Sequence, residues 1–345
     1  MKFLSSLHGR TRLRVILAMI AVSLPLLGIV MPAWIHARTM QVPAAHAPAL
    51  TETAAERGYS ITDLEWNDET RSRRVPARLF WPSVDRGETV PLVVFSPGIG
   101  SSRDGYTYLG KYWAEHGIAS IHLQHVGSDR SLWQGNLFSL VSRFQHAASD
   151  AEAIARVHDV RFALDRLLAS PLGKHVDHER ISAAGHSYGA NTTLLEAGAT
   201  VTRDGRILQF RDQRITAAIV ISAPPFYGVD DMRPILSAIT IPTLHITTED
   251  DVIRIPGFGS GVEDRQKVFD ATGSAFKVLA IYNVGSHNVF TERRYFDSLR
   301  VATAVKSDTA ELSLAFLQQL RGQSTMLAGW SDRRADLIAK YVVRR

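Results

Sequence analysis

Residues 60–66 alternate apolar and polar side chains as a half-buried strand does. A polar turn over 67–74 follows, and 76–82 reads as the hairpin partner. Further along, short runs rich in Val, Ile, Leu and Ala appear at 91–95, 118–123, 180–184, 217–222, 242–247 and 276–282. A run apolar at successive positions belongs to a strand buried on both faces. Helical segments separate these runs: 106–116, 191–199, 262–271, 297–320, and a helix in which Ile154, Val157, Val160, Leu164, Leu167 and Leu168 share one face. A closing helix is expected over 332–343, which makes 276–282 the last strand. The alternation predicts an α/β architecture: a mostly parallel central sheet with an antiparallel N-terminal hairpin and helices on both faces. In such sheets functional groups gather at the C-terminal edge of the strands. Two stretches break the rhythm. Trp133, Leu137, Phe138, Leu140, Val141 and Phe144 are apolar with no strand nearby, so 129–149 reads as an insertion over the strand ends. A charged excursion at 203–214 carries an Asp204-Gly205 hairpin turn.

Composition adds a boundary at the N-terminus. The 345 residues are 45% hydrophobic and 21% charged, which suits one globular domain at 60–345. The formal charge of +5 is local, because Lys2, Arg10, Arg12 and Arg14 precede an apolar run and residues 1–37 hold no acidic side chain. Without those four the chain carries 35 basic and 34 acidic residues, so no nucleic-acid-binding face is implied. The basic start, the apolar run 15–33 and Ile35-His36-Ala37 predict a secretory signal over 1–37, cleaved after Ala37, and hence a periplasmic or secreted protein. Left uncleaved, the segment becomes a membrane anchor. The Ala- and Pro-rich stretch 38–59 reads as a linker. There is no cysteine, which excludes disulfides, thiol catalysis and a lipid-modified cysteine.

The candidate chemistry centres on Gly185-His186-Ser187-Tyr188-Gly189, between a buried strand and a helix. G-x-S-x-G in that context describes a nucleophile elbow, whose glycines let strand and helix backbones approach on either side of a strained serine. Ser187 is the candidate nucleophile. Serine needs a general base, and histidine has the right pKa and two usable nitrogens. His287, after the last buried strand, is the best placed of thirteen histidines. The base in turn needs a carboxylate. Asp251 follows the strand ending at Thr247; Asp250 is the second choice, and Asp230 or Asp231, after the preceding strand, the third. A tetrahedral intermediate needs preorganised donors for its oxyanion. The Tyr188 amide supplies one, and the loop after 91–95, where Gly98 allows a close turn, supplies the other from Ile99. Gln124 and His125 end a predicted strand near the site and are candidate pocket residues; Trp133, Phe226 and Tyr227 are candidate contacts to an acyl or alcohol group, with core or lid packing the alternative. His122-x-x-His125 and His175-x-x-His178 lack a third ligand at recognisable spacing, so neither a metal nor any other cofactor is expected.

Ser187, Asp251 and His287 in this chain order, with the elbow and Ser96-Pro97-Gly98-Ile99, resemble the α/β-hydrolase superfamily over about residues 60–320. The Gly-His-Ser-Tyr-Gly-Ala elbow and Asp68…Arg71…Arg73…Val75-Pro76 look like its dienelactone-hydrolase-related branch, which includes platelet-activating-factor acetylhydrolase-like and cutinase-like esterases. The resemblance implies a serine esterase acting on a small-molecule, lipid or polymer ester, with Ile99 and Tyr188 as oxyanion donors. Two departures stand out: dienelactone hydrolases use a cysteine nucleophile, and Thr248 stands where a glycine often precedes the acid. The acetylhydrolase-like relatives can draw the acid from an earlier strand, where Asp230 and Asp231 lie. The same triad would also suit a peptidase or amidase, and the fold alone would suit a non-catalytic binding protein.

Overall fold

Aliphatic and β-branched runs bounded by Gly, Pro and polar turns fold as strands, and segments with an apolar stripe fold as helices over them. The computed structural model describes residues 58–345 apart from 84–86, 137–138, 204, 256, 293–296 and 323–326. The predicted leader lies outside the described residues, as does the linker up to residue 57. In chain order the elements are β1 (Tyr59–Asp68), β2 (Arg73–Pro82), β3 (Val90–Ser96), α1 (Thr107–Glu115), β4 (Ala119–Leu123), α2 (Leu140–Ala147), α3 (Asp150–Leu168), β5 (Val176–His186) and α4 (Tyr188–Ala197). A small hairpin follows, β6 (Thr200–Arg203) with β7 (Arg206–Gln209). Then come β8 (Ile215–Ile221), β9 (Thr243–Asp250), α5 (Val262–Ala271), β10 (Lys277–Ser286), α6 (Leu299–Leu320) and β11 (Ile338–Arg344).

The nine-stranded sheet has the order β1-β2-β4-β3-β5-β8-β9-β10-β11. β3, β4, β5, β8, β9 and β10 pair in parallel, whereas β1 on β2, β2 on β4 and β11 on β10 are antiparallel. Alternate side chains of each strand enter different cores. Val93, Phe95, Ala217, Ile219 and Ile221 pack with Leu109 and Trp113 of α1 and Phe316 of α6. Ala218 and Val220 pack on the other face with Val157 of α3, Leu194 of α4 and Val268 of α5, and Leu92 and Val94 with Val160 and Leu164 of α3. Local signals start the covering helices: the Ser149 side chain accepts the Glu152 amide at α3, with Asp150 and Glu152 in the first turn, and Ser298 does the same for Val301 at α6.

The C-terminus departs from the expected helix. Trp330–Arg333 makes one short helical turn, and Ile338–Arg344 pairs as a strand, with Val278 opposite Val343. Ile338, Tyr341, Val342 and Val343 are β-branched or aromatic, and the edge of β10 would otherwise leave a row of peptide groups unpaired. The strand also uses both faces: Ile338 and Tyr341 pack on the core under α6, and Val342 packs with Phe269, Leu279 and Ile281.

One buried carboxyl in α4 costs stability at alkaline pH. Among the described residues, both carboxyl oxygens of Glu196 are buried without a hydrogen-bond partner, and the Arg161 guanidinium stays 3.8 Å away. Burial pushes its pKa up to about 8, against the pull of Arg161. A folded-state pKa above the unfolded value favours folding only while the group is protonated. That contribution is complete below the ordinary glutamate range and is lost as pH rises through about 8. Glu196→Gln is therefore expected to match the parent Tm near pH 4 and exceed it near pH 9, the alkaline gain being at most roughly 4–5 kcal/mol. Thermal unfolding across that range checks it; parallel Tm curves would refute the assignment.

Candidate active site

β5 is polar and exposed over His178–Arg180, is buried from Ile181 to His186, and then turns sharply into α4. Ser187 carries the turn at φ 55° and ψ −124°, a backbone region that non-glycine residues rarely occupy. Its amide donates to the Ile221 carbonyl at 2.9 Å, which ties the elbow to the end of β8. The flanking glycines are sterically required. A Cβ on Gly185 would lie 2.2 Å from the Gly189 carbonyl oxygen, and one on Gly189 1.9 Å from that of Ser96. Gly189→Ala is expected to cost about 3 kcal/mol or more, because the obstacle is backbone and cannot rotate away. A Tm within a degree or two of the parent would refute this close approach.

His287 follows β10 on a loop held at several points. The Ser286 amide and hydroxyl both donate to Asp297 at 2.7 Å. Glu292 accepts the Tyr106 and Thr107 amides at 2.7 and 2.8 Å and so caps α1. The Thr248 hydroxyl donates to the Gly285 carbonyl, a contact that a glycine at 248 could not make. Thus positioned, His287 Nε2 lies 2.8 Å from Ser187 Oγ, and His287 Nδ1 lies 2.7 Å from Asp251 Oδ1. An ionised carboxylate only accepts, so Nδ1 carries the proton and Nε2 is free to accept the Ser187 hydroxyl.

Asp251 is fully buried. Its amide donates to the Thr248 carbonyl, and this turn brings the side chain inward. Thr247 Oγ1 donates to Oδ2 at 2.6 Å, and Arg265 of α5 donates from Nε to Oδ2 at 3.3 Å and from Nη2 to Oδ1 at 3.1 Å. Burial alone would push the carboxyl up. The His287 ring and its hydrogen bond, Arg265 and Thr247 outweigh burial and hold it far below the usual carboxylate range. Asp250, at the last position of β9, is exposed. Asp230 is exposed, and exposed Asp231 is paired with Arg233. Asp251 is thus the candidate acid that the fold brings to His287.

Above the elbow, the loop after β3 passes directly against the serine: a Cβ on Gly98 would meet Ser187 Cβ at 3.4 Å and His186 Nδ1 at 3.3 Å. Among the described residues, the amides of Ile99 and Tyr188 donate to no acceptor. Gly100, one residue on, sits under Trp133, whose Nε1 donates to the Gly100 carbonyl at 2.9 Å while the side chain stays half exposed. Trp133 therefore stands beside the candidate oxyanion loop.

The other pocket expectations change. His125 is 1% exposed and both ring nitrogens are engaged, Nε2 with Ser96 Oγ at 2.7 Å and Nδ1 with Asp159 at 2.9 Å. It belongs to a buried polar network and presents no free atom to a substrate. Phe226 packs into the core with Leu194, Met232 and Ile235. Gln124 donates to Asp129 at 2.6 Å and lines a cleft of about 530 Å³ beside Arg71, Arg73 and Arg74, with Ser187 not among the lining residues. Periodicity marked these residues as near strand ends, but it carries no information on which side of a loop they fall.

Sequence reasoning passed over Arg265, Arg156 and Tyr106. A helix arginine ordinarily reads as solvent-facing, yet Arg156 of α3 is fully buried. Its guanidinium donates to Pro97 O (2.5 Å), Ser128 Oγ (2.8 Å) and Thr192 Oγ1 (3.0 Å), and stacks 4.5 Å over the Tyr188 ring. Below it, Arg73 pairs with Glu152 and Asp159, and Arg71 with Asp68 and Asp159. His186 takes the other side of the elbow. Burial first, then the neighbouring His287, holds His186 well below the ordinary histidine range, so it stays neutral.

No protein-family model matches the chain, and no curated protein matches it. Solved structures do. A ferulic acid esterase from Streptomyces cinnamoneus superposes with a TM-score of 0.54 at 20% sequence identity, covering 78% of this chain and 92% of that one. A dienelactone hydrolase from Anabaena variabilis gives a TM-score of 0.48 at 17% identity, over 74% of this chain and 96% of that one. The fold is that of an α/β hydrolase.

Proposed function

We propose that the protein is a serine hydrolase that cleaves carboxylic esters through an acyl-enzyme. The observation that carries the reading is the unbroken hydrogen-bond chain from Ser187 through His287 to Asp251, built on a serine at positive φ. In this mechanism His287 Nε2 takes the Ser187 proton as Oγ attacks the ester carbonyl, and Asp251 stabilises the imidazolium through Nδ1–H. The amides of Ile99 and Tyr188 stabilise the oxyanion. Collapse expels the alcohol, protonated by His287. Water, deprotonated by His287, then attacks the acyl-enzyme and releases the acid. A serine nucleophile needs no metal for these steps. A structurally similar protein described as a ferulic acid esterase is in keeping with ester chemistry.

A fluorophosphonate probe tests the nucleophile and a matched substrate set tests the bond cleaved. The folded protein is expected to be labelled, with labelling lost in Ser187→Ala, and to turn over p-nitrophenyl acetate and butyrate in preference to aminoacyl anilides. Labelling that survives Ser187→Ala would overturn the nucleophile assignment, and preference for the anilides would overturn the ester reading.

A further inference from the structure

We propose that Arg156 and Tyr106 are positioning residues of the oxyanion site, clamping the Pro97–Gly98 peptide at its two ends. The inference rests on the Ser187 reading above. The carbonyl of that peptide accepts from Arg156 Nη2 at 2.5 Å, and its N–H donates to Tyr106 Oη at 3.3 Å. A peptide is planar, so fixing both ends fixes the whole unit. The next peptide carries the Ile99 amide. Its carbonyl, that of Gly98, accepts from Ser101 at 3.2 Å, and one residue further the Gly100 amide donates to Ser128 O at 2.7 Å. Between the clamped peptide and the donor stands only Gly98, the residue type with the widest backbone freedom. Without the clamp, Gly98 would let the Ile99 N–H swing.

The second donor is reached by the same arginine. Arg156 Nε donates to Thr192 Oγ1 of α4, and the guanidinium lies over the Tyr188 ring. One rigid planar group therefore touches both walls of the oxyanion site. Its burial fits this role better than a role in packing. An apolar side chain fills a core at lower cost than a buried cation, and among the described residues no carboxylate pairs with Arg156 directly. Its charge is relayed instead through hydroxyls: Ser128 Oγ donates on to Glu152 at 2.9 Å, and Ser96 Oγ to His125, which donates to Asp159. Tyr106 anchors the other end. It holds φ 59° before α1 and donates from Oη to His186 Nδ1 at 2.8 Å, and His186 Nε2 donates to the His287 carbonyl at 3.1 Å. The oxyanion loop and the base loop are thereby joined behind the nucleophile.

The test compares wild type, Tyr106→Phe and Arg156→Lys for kcat and KM on a p-nitrophenyl ester. It also measures the Ki of an alkyl trifluoromethyl ketone, whose hemiketal on a serine carries the oxyanion without turnover. Tyr106→Phe removes one hydroxyl, and kcat is expected to fall about 10-fold with KM changed by less than about 2-fold. Arg156→Lys loses the fork that spans both walls and is expected to lose about 100-fold in kcat. In each variant the ketone Ki should rise by the same factor as kcat falls. Folded variants whose kcat or ketone affinity stays at the wild-type value would overturn the clamp while leaving the Ser187 reading intact; if Arg156→Lys does not fold, Tyr106→Phe decides alone. A wild-type protein that neither hydrolyses the ester nor binds the ketone would overturn the Ser187 reading, and the clamp with it.

Discussion

Ser187→Ala is expected to lower kcat/KM on p-nitrophenyl butyrate by about 10⁵- to 10⁶-fold, with little change in Tm. The side chain contributes one hydroxyl, held 2.8 Å from His287 Nε2, and alanine retains the Cβ that sits against Gly98. The positive φ remains in the variant, so the backbone strain of the elbow is common to both proteins and cancels in the comparison. What disappears is the atom that forms the acyl-enzyme in the proposed mechanism. Residual activity then comes from substrate binding and the oxyanion donors alone. A loss below about 100-fold would place the nucleophile elsewhere.

Asp251→Asn is expected to cost about 10⁴-fold in kcat, whereas Asp250→Asn and Asp230→Asn stay within about 2-fold of the parent. The amide presents an NH2 donor as well as an acceptor, so it no longer enforces the Nδ1–H tautomer, and it carries no charge to stabilise the imidazolium. It also leaves the buried Arg265 cation without its partner, for which a stability loss of roughly 3–5 kcal/mol is expected. The pH dependence follows from the direction of the shift. The folded-state pKa of Asp251 is depressed, so its stabilisation is present above the ordinary aspartate range and is lost as pH falls below that range. Tm plotted against pH should therefore fall less steeply toward acid in Asp251→Asn than in the parent. Equal activities for Asp251→Asn and the parent, or identical acid slopes, would refute the assignment.

Much of this framework is legible in the chain because it is local. The elbow needs a strand, two glycines two residues either side of a serine, and a helix, all within about twenty consecutive positions. The buried strands announce themselves by unbroken apolar runs, and their order along the chain places Asp251 and His287 on loops at one edge of the sheet. The C-terminal strand is the counterexample. Residues 332–343 contain a helix-compatible pattern, and only the open edge of β10 makes the extended form preferable.

The sequence by itself determined the α/β alternation, the elbow and the small set of residues from which a site could be assembled. Tertiary structure alone decided which member of each set arrives. Asp250 and Asp251 are chemically identical neighbours, and a single turn at Thr248 turns one inward to Arg265 and His287 and leaves the other in solvent. His125 looked like a pocket residue until Ser96 and Asp159 took up both its nitrogens. Arg156 could not be read as buried, because the hydroxyl groups it meets lie 28 to 60 positions away in the chain. Periodicity reports which face of an element is apolar. It carries nothing about polar partners contributed by other elements, and those partners decide whether a buried charge can be sustained and what it holds in place.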